Sequence, residues 1–208
     1  MVSPFTTLLA SAVPRRLFHV TRSENLPSIL EHGLLTATTL VEGAGLADEQ
    51  VKALLDAPRR EAAPVDHPEL GTVWLRDQLR MTEAGLARVL DDSLTPRDWC
   101  RLLNGMTFFF PTEKAALDLS AASQYRAVSH VLLELDVHPL VEDFGTQVKI
   151  ATFNTGSTAQ GGATKRRSRS SFIPVTRYQG TLAQVREVVV TADIPRLAPY
   201  LVGHRPLP

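Results

Sequence analysis

The sequence predicts an α+β fold. Short runs of β-branched and aromatic residues recur along the chain, and helix starts with recognisable caps lie between them. The two kinds of element intermix without the regular strand–helix–strand alternation of a doubly wound parallel sheet.

Arg16 to Thr21 (RLFHVT) reads as the first strand. Ser23 can cap the helix that follows, and Pro27 falls in its first turn, where a missing N–H costs little. Leu26, Ile29 and Leu30 supply an i, i+3, i+4 stripe, and Gly33 ends the helix as a left-handed cap. A helix from Ala47 to Leu55 comes next, followed by an exposed loop, DAPRREAAPVDHPE. Thr72 to Gln78 suggests a strand and Glu83 to Leu90 a short helix. Thr95-Pro96-Arg97-Asp98 starts another helix with a hydroxyl cap, proline at the first position and an acid at the positive end. Asn104-Gly105 ends that helix ahead of Met106 to Phe110 (MTFFF), a strand whose continuous apolarity implies burial on both faces.

Thr112 can cap a helix running to Ala122. Ser129 to Asp136, Gln147 to Phe153 and Gln184 to Thr191 read as strands, and Ile194 to Val202 as a closing helical segment. Thr155 to Ser171, rich in Gly, Ser, Thr and Arg, reads as a mobile loop within one domain spanning 1–208.

Lysine plus arginine and aspartate plus glutamate each number 22, so no whole-protein basic field exists to attract nucleic acid. Cys100 is the single cysteine, which excludes an intramolecular disulfide and a cysteine-rich zinc site, and fits a buried structural role. The N-terminal MVSPFTTLLASAVPRR lacks the basic start of a signal peptide, and no apolar run reaches membrane-spanning length, so the expected location is cytoplasmic with no membrane contact.

Several chemistries are absent from the pattern. Gly43-Ala44-Gly45 does not follow a strand and lacks the third glycine of a dinucleotide fingerprint. There is no Walker loop, HExxH, EF-hand or Gly-x-Ser-x-Gly, and the six histidines are scattered, so no metal is expected.

Three segments remain: Leu17-Phe18-His19-Val20-Thr21 with the Asn25-Leu26-Pro27-Ser28-Ile29-Leu30 helix and Gly33-Leu34; Met106 to Phe110 leading to Tyr125-Arg126; and Arg186-Glu187-Val188-Val189-Val190 with Ile194-Pro195. In this order the chain resembles the ADP-ribosyltransferase superfamily, and within it the DarT-like toxins that modify nucleic acid. The resemblance implies a split antiparallel β-sheet core with flanking helices, NAD as the substrate, a macromolecular acceptor such as DNA or RNA, and an antitoxin as a possible partner.

The resemblance also implies roles. His19 and Thr21 share a strand face and would hold the ribose side of NAD. Glu187 would stabilise the ribosyl cation as nicotinamide leaves and take the nucleophile's proton. The toxins carry a functional arginine just after the aromatic strand, where this chain reads PTEKAAL. Arg126, beside Tyr125, is the first candidate to replace it and Arg76 the second, each otherwise an exposed ion-pair partner. Asn154, Thr155 and Gly156 would face the acceptor, with Lys165, Arg166, Arg167 and Arg169 supplying phosphate contacts unless they are only a solvated loop.

Two other readings share this pattern: an RNA 2′-phosphotransferase, and a non-catalytic module that binds a nucleotide or partner.

Overall fold

The computed structural model describes residues 13–91, 93–159 and 164–207. Most of the N-terminal segment read above for a signal peptide, and residues 160–163 of the expected loop, lie outside them.

The chain is α+β, and every strand pairing within its sheets is antiparallel. Strand β1 (Arg16–Arg22) pairs with β5 (His130–Asp136), which pairs with β9 (Leu201–Leu207). A second sheet has the order β4 (Thr107–Phe109), β8 (Glu187–Val190), β6 (Val148–Ala151), β7 (Ile173–Pro174). Hairpin β2–β3 (Ala63–His67 and Gly71–Leu75) stands alone. The two larger sheets meet edge to edge where Phe18 N–H donates to the Phe110 carbonyl at 3.0 Å and Phe110 N–H donates back at 2.8 Å.

The apolar runs form strands because both of their faces are covered. Val188 and Val190 enter the main core with Leu17, Phe109, Leu133 and Ile150, while Val189 joins Trp99, Cys100 and Phe172 on the other side. In β5 the same division puts Leu133 and Leu135 in the main core and Leu132 against Val20 and Leu207. A hydrophobic face on each side removes the need for polar alternation.

Seven α-helices occur among the described residues: α1 (Leu26–His32), α2 (Ala37–Glu42), α3 (Asp48–Leu55), α4 (Glu83–Val89), α5 (Pro96–Asn104), α6 (Glu113–Ser120) and α7 (Val137–Phe144). Thr95 caps α5 by accepting from Asp98 N–H, and Thr112 caps α6 from Ala115 N–H, as their sequences predict. Asn25, not Ser23, occupies the N-cap position of α1, and Ser23 opens a short 3-10 turn. Gly33 ends α1 at φ 88°, ψ −170°, a region open essentially to glycine alone. A Cβ there would lie 1.9 Å from the Ile194 carbonyl oxygen, because Leu34 pairs with Ile194.

Two expectations change, and one helix forms where no element was expected. The closing segment is not helical: after Ile194 the chain turns and runs as β9, whose backbone pairs with the free edge of β5. Pro206 is tolerated because β9 is itself an edge strand. Within the expected exposed loop, Ala63–His67 is a strand, held by its hairpin partner. Ala37–Glu42 is a helix, capped by the Thr36 hydroxyl. The strand ends also move: Arg76 to Gln78 leave β3, and β8 begins at Glu187. Among the described residues no helix is long and apolar enough to cross a membrane.

Candidate active site

A cavity of about 800 Å³ lies against the junction of the two larger sheets. Its lining includes His19 and Thr21 from β1, Arg76 after β3, Tyr125 before β5, and Glu187 at the start of β8. Residues far apart in sequence thus reach one cavity, of a volume in the usual range for small-molecule sites, roughly 300–1,000 Å³.

His19 is fixed by its Nδ1, 2.8 Å from the Phe108 carbonyl on β4. A carbonyl only accepts, so Nδ1 carries the proton. Burial, with a smaller push from the charge on Arg76, lowers the His19 pKa to about 4 against the Phe108 bond. The ring is therefore neutral near pH 7, and its Nε2 keeps a lone pair for a ligand donor. Thr21 is buried, and its hydroxyl oxygen accepts from the Asn25 amide at 3.2 Å.

Asn25 is a fixture that sequence reasoning missed. Its amide donates to the Trp74 carbonyl at 2.9 Å and its side-chain oxygen accepts from Trp74 N–H at 2.8 Å. The side chain acts as a partner strand for one residue, docking β3 on the turn after β1, and Arg76 just beyond β3 lines the cavity. An Asn ahead of a helix signals a cap, and nothing local distinguishes this use.

Glu187 begins β8, and Thr155 holds its carboxylate. Thr155 N–H donates to Oε1 at 3.3 Å and Oε2 at 3.2 Å, and the Thr155 hydroxyl donates to Oε2 at 2.6 Å. Burial raises the Glu187 pKa to about 7, the Thr155 bonds and the Arg167 charge opposing it. A carboxylate poised near neutrality suits proton transfer at physiological pH.

The two candidate arginines are placed differently. Arg126 is exposed, bonds the Ala121 carbonyl at 3.3 Å and does not line the cavity. It caps the 3-10 turn Ser123–Tyr125, while its neighbour Tyr125 lines the cavity and donates to Asp77 at 2.9 Å. Arg76 lines the cavity, with its guanidinium 5.1 Å from the centre of the Tyr125 ring. Among the described residues it has no ion pair and no side-chain hydrogen bond, and burial lowers its pKa.

The expected acceptor residues separate. Asn154 and Gly156 line the cavity, but Thr155 is wholly buried and turned to Glu187. Lys165, Arg166 and Arg169 are exposed. Arg167 is 0% exposed: its guanidinium donates to the Lys165 carbonyl at 2.8 Å and to the Ser157 carbonyl, and its N–H donates to Val89 at 2.7 Å. It therefore stitches the loop to α4 and leaves the surface cluster. Thr158 stitches the same loop again, its N–H donating to the Arg80 carbonyl at 2.8 Å and its hydroxyl accepting from Thr82 N–H at 3.3 Å.

Among the described residues no group of three or more His, Cys, Asp or Glu is arranged to hold a metal ion. Cys100 is buried, and burial pushes its thiol up to about 11, away from nucleophile chemistry.

Comparison with curated proteins and with solved structures yields no match. The model of a family of unknown function, DUF7002, matches residues 15–201, and the chain belongs to that family.

Proposed function

We propose that this cavity binds NAD and that the protein transfers ADP-ribose from it to a macromolecular acceptor. The observation that carries the reading is the convergence of His19 and Glu187, from different sheets, on one cavity. Two antiparallel sheets meeting at the Phe18–Phe110 pair support the split-sheet core of the ADP-ribosyltransferase superfamily.

In this mechanism the His19 Nε2 accepts a hydrogen bond from a ribose hydroxyl, and the Arg76 guanidinium pairs with the diphosphate. Glu187 stands against the ribose. As the bond from the ribose anomeric carbon to nicotinamide breaks, its electron pair leaves with nicotinamide, and the carboxylate stabilises the cation left behind. The acceptor nucleophile then bonds to that carbon and passes its proton to Glu187. Arg76 supplies the arginine that the segment after the aromatic strand, with Lys114 alone, does not carry, which favours an enzyme over a binding module. We further propose nucleic acid as the acceptor, approached over Lys165, Arg166 and Arg169.

The test is single-turnover release of nicotinamide from saturating NAD, with DNA, RNA and protein pools offered separately. Release that depends on both His19 and Glu187 is expected. No release with any pool overturns the enzymatic reading.

A further inference from the structure

Another group of polar side chains lines the same cavity, centred on His130. Arg22 and His130 are directly opposed on the neighbouring strands β1 and β5, so both side chains leave the same face. His130 is 4% exposed, and its ring stands edge-on to Tyr125 with centroids 5.9 Å apart. The Tyr125 ring in turn carries the Arg76 guanidinium at 5.1 Å. Arg22 stacks over Trp74 at 3.9 Å and pairs with Glu24 at 2.7 Å, while its buried Nε has no hydrogen-bond partner among the described residues.

This is an excess of donors. The carboxylates nearby are Glu24, held by Arg22, and Asp77, held by the Tyr125 hydroxyl. Arg76 has neither an ion pair nor a side-chain hydrogen bond among the described residues, and a guanidinium kept partly out of water in that state is costly. An anion entering the cavity would relieve that cost. Donors arriving from β1, β5 and the chain after β3 surround a tetrahedral group better than a planar carboxylate, which a single guanidinium already satisfies.

We propose that Arg22, Arg76 and His130 form a phosphoryl-binding subsite in which His130 takes up a proton as the anion binds. This deepens the NAD reading and rests on it for the natural ligand, whose diphosphate would be the anion. In the free protein the charged groups acting on His130 are Arg22 and Arg76, which disfavour its protonation, and Glu24, which favours it. Burial first, then the Arg76 and Arg22 charges, outweigh a backbone hydrogen bond to Val128 and the Glu24 charge, so its pKa lies below the ordinary value. A bound phosphoryl group neutralises that field and gives the imidazolium an acceptor. The complex then holds a proton that the free protein lacks, and affinity rises as pH falls through the interval between the two pKa values.

The experiment is calorimetric titration of the full chain with inorganic pyrophosphate and, separately, NAD, at pH 6 and pH 8, for the wild type and His130→Gln. The ligand's own titration is common to both proteins and cancels between them. Each unit of the rise in the His130 pKa that falls between 6 and 8 makes the wild type's gain about tenfold larger at pH 6 than at pH 8, and His130→Gln should lose that gain. Nuclear magnetic resonance of the His130 ring in the wild type gives a second reading that needs no variant: its titration should move to higher pH with pyrophosphate bound. Equal pyrophosphate affinity in both proteins at both pH values, no pyrophosphate binding at all, or an unmoved His130 titration overturns the subsite. Pyrophosphate engaging His130 while NAD fails to bind supports the subsite and removes the NAD reading. NAD bound with no response from His130 does the reverse.

Discussion

Thr155 donates to both oxygens of the Glu187 carboxylate, with its hydroxyl 2.6 Å from Oε2. A wholly buried side chain thus sets the direction and ionisation of the one acid at the start of β8. Thr155→Val keeps the shape and removes the shortest of these bonds. Glu187 should then titrate above its present value of about 7, since desolvation would act with less opposition. The pH–rate profile of nicotinamide release should shift to higher pH, with NAD affinity little changed and Thr155→Ser restoring the profile. An unmoved profile would mean that Thr155 only packs.

Under the proposed mechanism, substitution of Glu187 separates catalysis from stability. Glu187→Gln should lower single-turnover release roughly a hundredfold or more, about 3 kcal/mol, while weakening NAD binding far less. Its effect on folding has the opposite sign. The carboxyl pKa is about 7 in the fold against an ordinary 4.5, so the stability associated with its protonated form is full below pH 4.5 and lost as pH rises through 7. Glutamine removes that loss. The variant should melt higher than the wild type above pH 7 and converge with it below 4.5. Equal melting curves across this range would show that the carboxylate is not desolvated.

His19 titrates in the other direction. Its pKa falls from 6.5 to about 4 on folding, so the stability tied to its neutral ring is present above pH 6.5 and lost as pH falls toward 4. His19→Gln should flatten that part of the acid-denaturation curve and lose the thermal shift given by millimolar NAD. A variant that keeps the NAD shift would remove His19 from the ribose site.

The fold was legible in the sequence where burial is two-sided or caps are strong. The Val188-Val189-Val190 run and the Thr95 and Thr112 caps carry their own signals. Strands β2 and β9 do not. Ala63–His67 contains proline and charge, and Leu201–Leu207 contains Gly203 and Pro206; both are strands because a partner edge is there to receive them. The same limit applies to the site. His19 and Glu187 sit on strands whose residue order marks them. The choice of Arg76 over Arg126, and the pairing of Asn25 with Trp74, follow from how β3 docks on the turn after β1, which local sequence does not encode.

The basic loop now divides into two kinds of arginine that should fail in different assays. Lys165, Arg166 and Arg169 face solvent, whereas Arg167 is enclosed and bonds the Ser157 carbonyl two residues beyond Thr155. Replacing the three exposed residues by alanine should leave melting unchanged. If they contact a nucleic-acid acceptor, it should also reduce the slope of log affinity against log salt by about 2 to 3, near 0.9 per lost phosphate contact on a duplex. Arg167→Ala should instead lower stability, because it takes a donor from the carbonyl of buried Ser157. It should also disturb Glu187, whose pKa the Arg167 charge holds down and whose partner Thr155 lies on the loop that Arg167 anchors. The pH–rate profile of the Arg167 variant should therefore move in the same direction as that of Thr155→Val, with nucleic-acid salt dependence like the wild type's. Salt slopes that stay equal in the triple variant and the wild type would assign the exposed cluster to solvent and leave acceptor choice to Asn154 and Gly156 at the cavity wall.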